Sequence, residues 1–174
     1  MRRGSNVVLP IALLTLAAGA AEAQDGQSVQ ITPYVGVGTA GASPVGTAVT
    51  FPLTQSLSLE TDVAYRRGEG PMHAFSTNAS LLFALPRVGQ ATPYLAGGVG
   101  LAQVGVPIFG AAGGAPIGTA PSLAPTINAG GGFTMPMNRT MDMRTDVRWF
   151  QSFGTNGSEQ FRVAQGISFD AGKR

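Results

Sequence analysis

The segment Leu57-Ser58-Leu59-Glu60-Thr61-Asp62-Val63-Ala64-Tyr65-Arg66 alternates with a period of two: its odd positions are mostly apolar or aromatic, its even positions small or charged. Met141-Asp142-Met143-Arg144-Thr145-Asp146-Val147-Arg148-Trp149 repeats the pattern with stricter charge placement. An extended strand sends successive side chains to opposite faces, whereas a helix would scatter these charges around its circumference. Each segment therefore reads as a strand with one apolar and one ionic face. Charge is scarce elsewhere. Charged residues make up 11% of the 174-residue chain, against about 25% in an ordinary soluble domain, too little to clothe a water-facing surface in the usual way. The 25 glycines and 12 prolines weigh against a helix-rich fold. The absence of cysteine excludes disulfide scaffolds, zinc ribbons and cysteine nucleophiles. A net charge of +2 leaves no electrostatic footprint for nucleic acid.

The N-terminus begins Met1-Arg2-Arg3, continues with an apolar run from Val7 to Ala21, and reaches Ala21-Glu22-Ala23 before Gln24. A basic start, an apolar stretch and a small-x-small site make residues 1–23 a cleavable signal peptide. The run is shorter than the ~20 residues a spanning helix needs. The remaining residues, 24–174, suffice for one domain and contain no other helical apolar span. If this exported chain enters a membrane it must do so as a closed barrel, because only helices and barrels satisfy the backbone in lipid.

Similar alternating runs mark eight strands, at 29–40, 45–53, 57–67, 73–85, 91–104, 126–137, 141–152 and 160–169. Their connections alternate between short (near Thr54–Ser56, Pro86–Gln90 and Asn138–Thr140) and longer ones (near Gly41–Pro44, Gly68–Met72, Gly105–Pro125 and Gly154–Glu159). Membrane barrels place tight turns on one side and longer loops on the other in this way. A repeat supports the division. Thr32-Pro33-Tyr34 recurs as Thr92-Pro93-Tyr94, and Thr50-x-Pro52 with Thr61-Asp62-Val63 recurs as Thr134-x-Pro136 with Thr145-Asp146-Val147. Strands one to three are thus echoed by strands five to seven.

The signal segment, the eight alternating strands, the Thr-Pro-Tyr-x-Gly openings and the last strand Phe161-Arg162-Val163-Ala164-Gln165-Gly166-Ile167-Ser168-Phe169 resemble the small outer-membrane β-barrel superfamily. That group includes the outer membrane protein A transmembrane domain and the opacity-type porin-family proteins. The resemblance implies an all-β, eight-stranded, antiparallel, up-and-down barrel in the outer membrane of a Gram-negative cell. It also implies contact with outer-membrane lipid, lipopolysaccharide and the barrel assembly machinery. One departure is the tail Asp170-Ala171-Gly172-Lys173-Arg174, since the family usually ends on an aromatic residue.

In such a barrel Leu57, Leu59, Val63, Tyr65, Met141, Met143, Val147, Trp149, Phe161, Val163, Ile167 and Phe169 face lipid. Glu60, Asp62, Arg66, Asp142, Arg144, Asp146, Arg148 and Arg162 then face the lumen, because Arg or Lys on the lipid face costs ~2–4 kcal/mol near the midplane. Four bases and four acids balance, and strands three and seven lie opposite each other, so the expectation is an ionic network closing the lumen. Two aromatic bands are expected at the membrane interfaces: Tyr65, Trp149 and Phe153 toward the outer ends of strands, Phe51, Phe83, Phe133 and Phe169 toward the inner ends.

The uncharged stretch 105–125, rich in glycine, alanine and proline, reads as a flexible loop or a surface for a partner. Its glycines form no phosphate cradle, since no Gly-Lys-Ser/Thr follows. His73 is the sole histidine, so no metal site is expected and no cofactor is called for. With Ser76 and Glu69 it marks the one place where a lipid-modifying enzyme could act at the rim, but the spacing fixes no catalytic geometry, and the chain reads as no enzyme. Two further alternatives are a narrow gated porin-like channel and a soluble periplasmic or secreted ligand-binding barrel. The last would keep its apolar residues inside and its charges outside.

Overall fold

The computed structural model describes residues 28–39, 43–67, 73–109, 116–153 and 157–171, for the backbone alone within 104–121 and at Arg67 and His73. The signal segment 1–23, Glu69 and the end of the C-terminal tail, 172–174, lie outside the described residues. Eight strands follow one another: β1 (Val29–Gly38), β2 (Ser43–Pro52), β3 (Leu57–Arg67), β4 (His73–Ala84), β5 (Thr92–Phe109), β6 (Pro116–Pro136), β7 (Met141–Ser152) and β8 (Glu159–Ala171). Each pairs antiparallel with its chain neighbours, and β1 pairs with β8, so the sheet closes into a barrel with no free edge. Closure resolves the problem posed by the alternating strands, since it gives the two faces separate environments, a lumen and an exterior.

The short connections, with both barrel termini, define one end, called inner here. Their sequences explain their tightness. The Thr54 hydroxyl accepts bonds from the backbone N–H groups of Ser56 and Leu57, and the Asn138 side-chain oxygen accepts from the N–H of Thr140. Such side chains mimic a turn's own backbone bonds. Between β4 and β5, Gly89 has φ +63°, a conformation that costs glycine nothing.

The expected loop 105–125 is corrected in part: β5 runs on to Phe109 and β6 begins at Pro116. Pairing continues from Val104↔Ser122 to Phe109↔Pro116, with a register shift at Ile108/Phe109. β4 follows β5 only as far as Ala74↔Val104, so the upper part of this hairpin stands above the rim. The physical reason is that Val104-Gly105-Val106-Pro107-Ile108 keeps the period-two pattern of a strand. Prolines are also tolerated where a strand has an unpaired edge, which each arm of a two-stranded ribbon has.

Sidedness is unambiguous. Outside the barrel Val99 is 63% exposed and Val35 63%, whereas inside it Arg148 is 0% exposed and Glu60 1%. The lumen is narrow enough to be filled by side chains: Ala48, Ala64, Ala96 and Ala164 are buried there beside Tyr34, Tyr94 and Leu82. Glycines make room for the two tyrosines. Gly46 pairs directly with Tyr34, and a Cβ on it would sit 2.5 Å from the Tyr34 ring; Gly132 pairs with Tyr94, where a Cβ would sit 2.6 Å from the hydroxyl.

Candidate functional site

The charged residues of β3, β7 and β8 converge at mid-lumen. Glu60 takes the guanidinium of Arg144 with one carboxylate oxygen and that of Arg148 with the other, at 2.5 Å for Arg148. Asp146 meets Arg148 at 3.0 Å, Arg144 at 3.4 Å and Arg162 at 3.4 Å. Arg162 also reaches Asp62 at 3.4 Å. Three acids and three bases thus form one continuous chain, Asp62–Arg162–Asp146–Arg144/Arg148–Glu60, and all six are buried. The set is formally neutral, which a low-dielectric interior demands, since an unpaired buried charge is heavily penalised.

Arg66 and Asp142 stand apart from these six. Arg66, half-buried near the outer end, donates a hydrogen bond to the Gln160 side-chain oxygen. Asp142 lies near the inner end, where the Gln30 amide donates to it at 3.3 Å and to Asp170 at 3.2 Å. A buried contact, Thr32 Oγ1 to Ser168 Oγ at 2.8 Å, lies between that end and the network.

Two members of the network go beyond the charged residues. The Tyr34 hydroxyl donates to Asp62 and accepts from Arg162 at 2.7 Å. The Tyr94 hydroxyl donates to Asp146 at 2.7 Å and accepts from Arg144 at 2.8 Å. The same arginines lie over these rings, at 4.9 Å for Arg144 on Tyr94 and 4.7 Å for Arg162 on Tyr34, and Arg162 is also 5.0 Å from Phe150. Both tyrosines come from the repeated Thr-Pro-Tyr motif, and parity could have found them: they are even-numbered on strands whose odd positions, such as Val35 and Leu95, are exposed. Neutral polar side chains extend the system, with Asn78 donating to Asp62 at 2.9 Å, Thr50 to Glu60 at 3.1 Å and Arg148 to Ser80 at 3.3 Å.

Little space remains. One cavity of about 20 Å³ lies within the network, lined by Glu60, Asp62 and Asp146 among others, enough for about one water. A larger one, about 60 Å³, lies at the outer end and is bordered by Arg66, Phe150, Gln160 and Arg162. Among the described residues no three histidine, aspartate or glutamate side chains are arranged so that they could hold a metal ion.

On the exterior, the residues expected toward lipid lie outside, with Val147, Val163 and Ile167 exposed. Tyr65 pairs with Phe75 and Trp149 with Phe161 toward the outer end. Toward the inner end Phe83 pairs with Leu57 and Phe169 with Met141; Phe51 and Phe133 lie at the same level on β2 and β6. Phe153 directly follows β7 and is exposed. Phe75 and Phe83, and again Phe161 and Phe169, are eight positions apart on their strands. At about 3.3 Å per residue and a tilt near 40°, that separation spans roughly 20 Å along the barrel axis, close to the apolar height of an outer-membrane barrel. An apolar wall around a charged interior inverts the order of a soluble barrel. The fold is that of the small outer-membrane β-barrels.

Solved barrels of this kind superpose over nearly their whole length. The N-terminal β-barrel domain of Pseudomonas aeruginosa OprF is 15% identical, with 85% of this chain and 100% of that one aligned and a TM-score of 0.62. Neisserial surface protein A is 11% identical, over 82% and 96%, with a TM-score of 0.65. The outer membrane enzyme PagL is 14% identical, over 82% and 99%, with a TM-score of 0.54. At these identities the likeness is one of fold. No protein-family model matches the chain, and no curated protein matches it.

Proposed function

We propose that this chain is an integral outer-membrane β-barrel, exported by its first 23 residues, with a structural or surface-interacting role and a lumen closed by its charged network. The observation that carries this reading is the neutral chain of Asp62, Arg162, Asp146, Arg144, Arg148 and Glu60, which ties β3, β7 and β8 together across the interior. A permeating ion would have to pass between buried ions, each engaged in several charge-assisted hydrogen bonds within the network. The apolar exterior, with its two aromatic levels, is the surface offered to lipid and lipopolysaccharide. The hairpin of β5 and β6 above the rim is the element placed to meet a partner outside the cell. Because PagL shares the fold, the fold alone leaves chemistry open. What supports a non-enzymatic role is the sequence itself, in which the spacing of His73, the sole histidine, from Ser76 and Glu69 fixes no catalytic geometry.

Two measurements test the reading. Fractionation is expected to recover the protein in the outer membrane, with heat-modifiable migration on a gel; recovery from the soluble periplasm would refute the membrane assignment. In planar bilayers the protein is expected to give no reproducible conductance, and a reproducible open state would refute the closed lumen.

A further inference from the structure

Charge is not evenly distributed along the lumen. The six-residue network is neutral, and Gln30 meets Asp142 and Asp170 near the inner end. At the outer end the 60 Å³ cavity is bordered by two guanidinium groups, Arg66 and Arg162, and among the described residues that line it there is no carboxylate. Arg162 is held from below by Asp62 and Asp146, yet its buried Nε has no hydrogen-bond partner. Arg66 spends a bond on the neutral oxygen of Gln160, two positions from Arg162 on the same face of β8. The hydroxyls of Ser76 and Ser152 and the ring of Phe150 complete the wall. Two guanidinium groups on the wall of a cavity large enough for several waters, with no carboxylate among its described lining, point to an acceptor within it. Among the described residues at this end, Arg66 adds a positive charge that the neutral network does not balance, and an anion offsets it.

We propose that this outer vestibule is a binding site for a small monovalent inorganic anion, of halide size and reached from the outer face, held between Arg66 and Arg162. Chloride fits its chemistry: it accepts several hydrogen bonds at once, has no fixed geometry to match, and tolerates an aromatic wall better than a multivalent oxyanion, whose desolvation costs more. The site requires no passage through the barrel, so it stands or falls independently of whether the lumen conducts.

The test uses the full mature barrel refolded in a neutral maltoside detergent and chloride-free buffer. Chloride is titrated and the excess chlorine-35 NMR line width is read. A saturable excess that iodide displaces is expected. Arg66→Gln, at the half-buried rim, is expected to weaken it by about tenfold or more, the scale of one lost charge-assisted hydrogen bond, while heat-modifiable migration shows that the barrel still forms. Crystals of the unaltered protein soaked in bromide are expected to show an anomalous peak between Arg66 and Arg162, a readout that needs no variant. No saturable excess, an excess unchanged in Arg66→Gln, or displacement by inorganic phosphate in preference to iodide would each overturn the proposal.

Discussion

Glu60 offers the sharpest test of how the interior is held. Its carboxylate accepts from Arg144, Arg148 and Thr50 and is 1% exposed. In Glu60→Gln the side chain keeps its size but retains one acceptor oxygen, so its amide N–H groups turn against the other guanidinium. One charge-assisted bond is lost, worth about 1.5–3 kcal/mol, and three arginines then share two carboxylates. Removing one partner of a buried pair costs about 3–5 kcal/mol in total. Arg148→Met, which strips the 0% exposed cation, should cost a similar amount by leaving Glu60 with Arg144 as its one cation and taking a partner from Asp146. The double variant restores neutrality, with Asp62 and Asp146 facing Arg144 and Arg162, and should lose less than the sum by about 2–4 kcal/mol. The assay is urea unfolding in lipid vesicles, followed by the emission of Trp149, the only tryptophan, which leaves an apolar surface on unfolding. With a slope of about 2 kcal/mol per M, each single variant should lower the midpoint by about 2 M. Single losses under about 1 kcal/mol, or a double loss equal to the sum, would refute the idea that charge balance organises the lumen.

Three further outcomes follow by the same assay. Tyr34→Phe removes a hydroxyl bonded to both Asp62 and Arg162 and should cost about 1.5–3 kcal/mol. Gly46→Ala places a methyl 2.5 Å from the Tyr34 ring and from the Val63 carbonyl, and should cost about 1–3 kcal/mol; Gly97→Ala, with nothing nearer than 3.8 Å, should stay within about 0.5 kcal/mol. Val147→Arg puts a cation on the outer wall of β7 and should cost about 2–4 kcal/mol in a bilayer, with slower insertion into vesicles, while Val147→Leu should behave as the unaltered protein.

Strand number and sidedness were readable because period two is a local property, and β3 and β7 begin and end where their alternating runs do, at Leu57–Arg67 and Met141–Ser152. The upper part of the β5–β6 hairpin was not readable as strand. Glycine and proline content masks a pattern carried there by Val104, Val106 and Ile108, and the pairing depends on backbone hydrogen bonds that leave no mark on residue choice. At the site, parity identified the lumenal charges but could not tell which of them meet. Whether Arg66 and Asp142 join the other six depends on height along the axis, which strand tilt and register decide. Tyr34 and Tyr94 were visible as a repeated motif, while their place in the network became apparent only with the glycines opposite them.

The repeat that links β1–β3 to β5–β7 also sets a limit on symmetry. Glu60 and Arg144 hold corresponding positions in the two halves and touch across the barrel axis. Were the halves identical, each lumenal charge at this level would confront its own image, and like would face like. A barrel assembled from two copies of one half would therefore carry its repulsion at the centre, and no repacking of the wall could relieve it. One reversal of sign, acid in the first half and base in the second, turns that collision into an attraction, so the asymmetry of a single continuous chain is what allows this interior to close on itself.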